Sequence, residues 1–441
     1  MQNRHKAPVK PTKQKARRID FDAGVPEILY KRAGGKCSVP RCKNPTMGPS
    51  RSENGSVNMG VACHIYSASE GGPRGQGKEG ADFISSERNG IWCCAYHADL
   101  IDKRRGTDYP ADDLFSWKAL AEARARKLMD DIPSPLGWVE SVEFVSFPGF
   151  PKPPKITLHR RTIMYGPNCS GKSSLLQVAA SVNQSKYVER FSGTYKIDKN
   201  GNKRPETFLA KITYSTVDTL SKEIFLRIEG DKISRYFESA PCLFPPGDIE
   251  IIYCSENDLR RRESEDDVDF LMRVLGVDKC TLFELSRIGT KSIIPGDLRF
   301  NEAMEWDEDE GKEKPVSTTN GDRYIELNFR MYPRDGYVTY KALSTSEQRR
   351  LLTDMLITKA RESCKQRLTL FIVEDLAINF DSPNFENLLN ALAAENFQSI
   401  VSLPPNREDE ILINKNGSQT LSSVDCTRAW HLSIVGKAFG Q

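Results

Sequence analysis

The stretch Gly166-Pro167-Asn168-Cys169-Ser170-Gly171-Lys172-Ser173-Ser174 constrains this chain more than any other. It satisfies the pattern G-x-x-x-x-G-K-[ST] without a mismatch. Glycines at this spacing let a backbone curl until its N–H groups point inward at an anion, and the lysine after the second glycine reaches the same anion. Gly166, Asn168, Gly171, Lys172, Ser173 and Ser174 are therefore candidate nucleotide ligands, with the Ser173 hydroxyl suited to Mg2+. A helix beginning there adds the positive end of its dipole. The flanks agree, since Thr162-Ile163-Met164-Tyr165 is short and β-rich and Ser174 to Ala180 suits a helix. Strand, loop and helix is the context such a loop requires, and it predicts an α/β fold here.

At 441 residues the chain exceeds one ordinary domain. A net charge of +3 is nearly neutral for this length and selects no partner. Local charge says more. Arg4, Lys6, Lys10, Lys13, Lys15, Arg17 and Arg18 precede Asp20 with no acid among them. Residues 1–20 read as a flexible basic arm, either a phosphate-contacting one or a plain solvated tail. No segment resembles a signal peptide, and no apolar run approaches the ~18 residues of a membrane span. A cytoplasmic protein with no membrane partner is expected. Of eleven cysteines, five fall between Cys37 and Cys94, and such crowding in a reducing compartment suggests metal before disulfide.

Residues 21–131 form the first expected unit. Its last helix opens at Ala111-Asp112-Asp113, with Leu114, Trp117, Ala121, Ala125 and Leu128 recurring on one face. Asp131 to Gly137 reads as a linker, and residues 132–441 form the second unit. The acidic stretch from Glu305 to Gly321 reads as an exposed loop.

Within the first unit two knuckles pair: Cys37 with Cys42, and Cys94 with His97. Thiolates and an imidazole in tetrahedral array are what structural Zn2+ prefers. Cys93 is the alternative to Cys94, which leaves the better turn before His97.

Around these knuckles stand Gly-Lys-Cys-Ser-Val-Pro-Arg-Cys at 35–42, Ala-Cys-His-Ile at 62–65 and Gly-Pro-Arg at 72–74. Asn-Gly-Ile-Trp at 89–92, Leu-Ile-Asp at 100–102 and the Trp117-Lys118 helix complete the pattern. Lys36 to Asp102 thereby resembles an HNH endonuclease of the kind found in many bacterial restriction and phage-defence proteins. The resemblance implies a ββα-metal fold in which His64 activates water, Asn89 orients the core and a divalent ion (Mg2+ or Mn2+) meets the scissile phosphate. Two positions depart from the family. Ala98 stands where many such sites carry a His or Asn, and Cys63 where others carry Asp. Asp102 is the remaining candidate ligand for the catalytic ion. Arg74 and the basic arm are suited to a nucleic-acid backbone, DNA more readily than RNA.

In the second unit Leu368 to Val373 is an apolar β-rich run ending in Glu374-Asp375. One acid would hold the Mg2+ shell and the next, Asp375, would polarise attacking water. Asp381 follows, and Leu343-Ser344-Thr345-Ser346-Glu347 lies upstream. This arrangement resembles the ABC ATPases, particularly SMC/RecF-like members. The resemblance makes Ser344 and Ser346 part of a signature loop and Asp381 a D-loop aspartate. It also implies ATP sandwiched between the loop of one copy and the signature of another, a head-to-tail homodimer. Ser346 replaces a glycine, the acid order is reversed, and Pro404-Pro405 stand where a switch histidine is usual, which implies slow hydrolysis. The turn after Ile251-Ile252-Tyr253 is the expected Q-loop, and no heptad segment predicts a coiled-coil arm.

The expectation is an ABC-type P-loop ATPase carrying an N-terminal ββα-metal HNH domain, with ATP, Mg2+ or Mn2+, and Zn2+ as cofactors. The domain pairing resembles Septu-type and retron-associated anti-phage effectors, which implies nucleic acid as substrate and a co-encoded defence protein or retron RNA/DNA as partner. The alternative is an ATPase whose HNH-like module only binds nucleic acid.

Overall fold

The computed structural model describes residues 18–52, 54–130, 134–150, 152–199, 201–262, 265–319, 321–374, 380–403, 411–413, 419–421 and 430–435. The chain divides into two compact units, Met1–Ala125 and Arg126–Gln441.

The first unit opens with α1 (Val25–Arg32), then β1 (Met47–Pro49), β2 (Ser56–Asn58) and β3 (Gly60–His64). After α2 (Ala81–Ser85) come β4 (Gly90–Cys94), α3 (Ala95–Asp102) and α4 (Ala111–Asp130). β3 and β4 pair antiparallel with Gly60 opposite Cys94 and His64 opposite Gly90. Because α3 starts one residue after β4, the pair and helix form one short strand–strand–helix module. Trp92 of β4 packs with Val25, Leu29 and Ala33 of the α1 region, which seats that module on a small apolar core. Leu114, Trp117 and Ala121 of α4 are buried as their spacing predicts, but Leu128 is 75% exposed, so the buried stripe ends before it.

The second unit is built on two sheets. The antiparallel one runs β13 (Ala240–Cys242), β12 (Lys232–Phe237), β11 (Lys222–Glu229), β10 (Thr207–Thr216), β5 (Gly137–Ser146), β6 (Lys155–Thr157). The parallel one runs β14 (Ile249–Ser255), β20 (Leu368–Glu374), β21 (Gln398–Ser402), β7 (Arg161–Tyr165), β24 (His431–Ile434). Strands covered on both faces must be apolar throughout rather than alternating, and β7, β20 and β21 are buried at every position. Successive residues serve different cores. Met164, Tyr253, Leu370 and Ile372 face α5 (Lys172–Ala180) and the antiparallel sheet. Ile163, Ile252, Phe371 and Val373 face α6 (Asp267–Leu275), α7 (Lys279–Ile288), α8 (Thr345–Ser363) and α9 (Ser382–Ala393).

Asp354, fully buried on α8, accepts the backbone N–H groups of Ser292 at 2.9 Å, Ile293 at 2.7 Å and Ile294 at 2.9 Å. A carboxylate that deep is tolerated because its oxygens are filled by donors. The remaining elements are β8 (Tyr195–Ile197) with β9 (Lys203–Pro205), β15 (Gly296–Glu302) with β18 (Ile325–Met331) and β19 (Val338–Thr339), β16 (Met304–Asp307) with β17 (Lys312–Pro315), and β22 (Ile411–Ile413) with β23 (Gln419–Leu421). The β16–β17 hairpin corrects the expectation of a loop across 305–321. Asp307 makes the turn by accepting the N–H groups of Asp309 and Glu310, which reverses the chain and lets the two strands pair. No helix among the described residues is long and apolar enough to cross a membrane.

Candidate nucleotide, metal and histidine sites

In the parallel sheet β7, which leads into the glycine-rich loop, and β20, which ends in Glu374, are separated by β21, and all three end on the same edge. Ligands of open α/β sheets bind at the carboxyl ends of the strands, and both motifs lie there. Gly166 has φ +150, and a Cβ on it would stand 2.6 Å from the Val435 carbonyl. Gly171, the N-cap of α5, has φ +91 with Pro154 2.8 Å from where a Cβ would be. Both positions need glycine, for conformation and for space.

Pro167, Asn168 and Cys169 are exposed along the loop. Lys172 Nζ donates to the Gly166 carbonyl and, at 3.2 Å, to that of Pro167. The ammonium thus lies across its own loop, spending its donors on carbonyls a phosphate would replace. Ser170 Oγ is buried with no hydrogen-bond partner among the described residues. Ser174 Oγ accepts from Arg190 Nη2 at 2.8 Å. Burial pushes the Arg190 guanidinium below its ordinary range, while Glu374 pulls it back up. Arg190 therefore stands between the loop and the acid, a cation that no sequence motif marks. Its turn, Ser185–Phe191, also holds Lys186 and Glu189, so nothing in the sequence singles it out.

Glu374 ends β20, 4% exposed and in register with Ser255. Asp375 lies outside the described residues. Asp381 is the N-cap of α9, accepting the Asn384 N–H at 2.9 Å. Ser344 caps α8 in a capping box with Glu347, and Ser346 sits in that helix's first turn. The cap satisfies helix donors and leaves the Ser344 end exposed. The expected Q-loop turn begins later than its residues suggested, because β14 continues to Ser255. Glu256 there is bound by Arg349 of α8 at 2.6 Å.

In the first unit Cys37, Cys42, Cys94 and His97 place one ligand atom each within 4.8 Å of one another. The Cys42–Cys94 sulfurs are 4.0 Å apart, and His97 Nδ1 is 3.6 Å from Cys37 Sγ and 3.2 Å from Cys94 Sγ. A tetrahedral Zn2+ with ordinary bond lengths spaces its ligands about 3.6–3.8 Å apart, so the donor set fits such an ion. Cys93 is outside the group.

His64 ends β3. Phe21 lies flat on its ring, centroids 3.6 Å apart and planes 7° from parallel. Residues ahead of α1 are fastened there by Ile19 N–H to Ala68, Asp22 N–H to Ser85, and Ser85 Oγ to Asp22. Nε2 of His64 is buried without a hydrogen-bond partner among the described residues. Burial holds the imidazole below its ordinary range and Arg18 adds to this, while Asp20, Asp102 and the Ile19 backbone oppose it. A neutral imidazole with an unoccupied nitrogen has the form of a general base.

Asn89 is fully buried and clamps the chain just past His64. Its Oδ1 accepts the Tyr66 N–H at 2.8 Å, and its Nδ2 donates to the Tyr66 carbonyl at 2.9 Å and the Ile84 carbonyl at 3.2 Å. This is an orienting geometry. Arg74 differs from expectation. Its side chain is 5% exposed and donates to the carbonyls of Ile65 at 2.6 Å, Ile101 at 2.7 Å and His64 at 3.3 Å. A guanidinium has five N–H donors to satisfy, and here three backbone carbonyls draw on them. Asp102 is bound to the same Arg74 at 2.6 Å. With Ala98 beside it and the Cys63 thiol 3.7 Å from the Val61 carbonyl, the described residues near His64 do not compose a ligand set for a catalytic ion.

No protein-family model matches the chain. No curated protein matches it either. Similar solved structures include an Smc head bound to the C-winged helix domain of ScpA, at 13% identity and TM-score 0.42, covering 64% of this chain and 96% of that one. The SMC head domain from Thermotoga maritima matches at 13% identity and TM-score 0.36, covering 64% and 98%. The recombination mediator protein RecF with ATP matches at 12% identity and TM-score 0.39, covering 65% and 99%.

Proposed function

We infer that this protein is an ATP-regulated HNH endonuclease acting on nucleic acid, duplex DNA foremost. The observation that carries the nuclease half is His64, neutral, with Nε2 unoccupied, on a strand clamped by buried Asn89 beside a Cys3His group. In the reaction His64 Nε2 takes a proton from water as that water's oxygen bonds to phosphorus and the bond to the leaving nucleotide oxygen breaks, that oxygen then taking a proton from solvent, while Asn89 keeps the strand carrying the imidazole in place. Zn2+ held by Cys37, Cys42, Cys94 and His97 supplies structural closure.

In the second unit, ATP with Mg2+ is proposed on the loop 166–174, with Glu374 and Asp375 as the acids and Arg190 at Ser174. Exposed Ser344, with half-buried Ser346 beside it, suits the reading that a second copy caps the nucleotide. Slow turnover, with nucleotide occupancy acting as a switch, follows from the acid order and from Pro404-Pro405. A role in cytoplasmic anti-phage defence, with a co-encoded protein or retron RNA/DNA as partner, rests on the pairing of the two modules.

His64→Ala should abolish Mg2+- or Mn2+-dependent cleavage of plasmid DNA while ATP binding survives, and cleavage unchanged in that variant would overturn the assignment. One observation favours a second reading, in which the first unit only grips nucleic acid. Asp102 is tied to Arg74 and position 98 is alanine, so the chain offers few ligands to a catalytic ion. Wild-type protein that binds plasmid but leaves it intact across a divalent-metal titration, with and without ATP, would select that reading.

A further inference from the structure

β8 and β9 form a ribbon whose six residues are all exposed. Tyr195 pairs with Pro205, Lys196 with Arg204 and Ile197 with Lys203. Lys196, Lys199, Lys203 and Arg204 stand against one acid, Asp198. That acid is occupied, with Oδ1 accepting the Asn202 N–H at 2.9 Å to shape the turn and Oδ2 bound to Arg204 at 3.1 Å. Lys196, Lys199 and Lys203 form no ion pair among the described residues. Ile197 is 67% exposed near the tip and Tyr195 45% at the base, where its hydroxyl donates to Asp231 at 3.0 Å.

A bare two-stranded ribbon is marginal in water by itself, and this one covers no core. The β16–β17 hairpin has the same build and the opposite charge. Glu305, Asp307, Glu308, Asp309, Glu310 and Glu313 outnumber Lys312 and Lys314, whose ammonium groups bind Glu310 and Asp307. One unit thus carries two similar ribbons, one cationic with unpaired lysines and one acidic with its lysines spent.

We propose that the β8–β9 ribbon is a grip for duplex DNA, its lysines on phosphates and its Tyr195/Ile197 edge against the groove. The B-form major groove is about 12 Å wide and admits a two-stranded ribbon, whereas the A-form major groove of RNA is too narrow for side chains to read. The inference rests on the reading that nucleic acid is the substrate. It adds a contact surface in the ATPase half. The ribbon follows the turn that brings Arg190 to Ser174, so it hangs on the segment that touches the phosphate loop.

The test is binding of the full chain in EDTA, where cutting cannot interfere, to a short DNA duplex, the same sequence as duplex RNA, and single-stranded DNA. Lys196→Gln/Lys199→Gln/Lys203→Gln should weaken duplex-DNA binding about tenfold or more and flatten the log–log salt slope by about 2.7. Lys312→Gln/Lys314→Gln in the acidic ribbon should change neither. Lys196, Lys199, Lys203 and Lys312 are exposed and Lys314 is half-buried, and matching thermal melts and ATP affinity certify the variants as folded. Wild-type affinity and slope in the triple variant would overturn the proposal, as would an equal loss on duplex RNA or on the single strand. Protein that binds DNA through these lysines yet cuts nothing would remove the nuclease reading and leave the grip. Protein that cuts while the triple variant binds normally would do the reverse.

Discussion

Phe21 lies face to face with His64 at 3.6 Å and covers one face of the imidazole. Burial is the foremost cause of the lowered His64 proton affinity. Phe21→Ala should rehydrate the ring and raise its pKa toward the usual histidine value, read by NMR titration of the His64 ring protons. An unchanged or further lowered value would show that Phe21 is not the desolvating contact.

The Cys3His group should make the first unit depend on a bound metal. One zinc per chain is expected by elemental analysis, and a strong chelator should lower its thermal stability, because metal-binding free energy becomes folding free energy when the unfolded chain offers no site. Cys94→Ser should lose the zinc and Cys93→Ser should keep it. Equal retention by both would contradict the donor set drawn from the geometry.

Lys172→Ala removes the ammonium now folded onto the Gly166 and Pro167 carbonyls. A charged hydrogen-bonding group of this kind contributes about 1.5–3 kcal/mol, so ATP affinity should fall roughly tenfold to a hundredfold by calorimetry. The variant should also lose any ATP-induced change in mass by light scattering. Wild-type protein showing one oligomer with and without nucleotide would count against a nucleotide-capped dimer.

His159 and His431 stack with centroids 3.6 Å apart, and burial first, then the charge of His159, lowers His431 to about 3. The unfolded chain therefore takes up a proton near pH 6.5 that the folded chain refuses until far lower. The stability is fully present above pH 6.5 and is lost as pH falls toward 3, at up to about 1.4 kcal/mol per pH unit. Between pH 6.5 and pH 5 wild type should lose about 2 kcal/mol more than His431→Gln in urea titrations. Parallel losses would remove the histidine from the account.

The tight glycines of the 166–171 loop and the buried strand β20 were readable because each lies in a contiguous stretch. A loop needing φ +150 and +91 at fixed places must write glycine there, and a strand covered on both faces must read as an apolar run. The four metal donors were readable for a similar reason, since each knuckle is local. What could not be read comes from residues distant in the chain. Arg74 looked like a free cation, yet carbonyls at positions 64, 65 and 101 converge on it. Arg190 acquires its place only when the turn after α5 returns to Ser174. Phe21 reaches His64 from a segment with no motif of its own. The 305–321 stretch looked like a loop because its acids hide a strand pattern that cross-strand lysines stabilise.

Asp354 gives α8 an unusual mechanical character. Its carboxylate holds the Ser292, Ile293 and Ile294 amides at mid-helix, whereas the Ser344 tip stands free in solvent. Between tip and anchor, Arg349 binds the Leu259 carbonyl and Glu256, and Gln348 binds the Tyr340 and Leu343 carbonyls. A substitution that loosens Asp354 therefore frees the 292–294 segment while the other end of the rod stays tethered to the turn after β14.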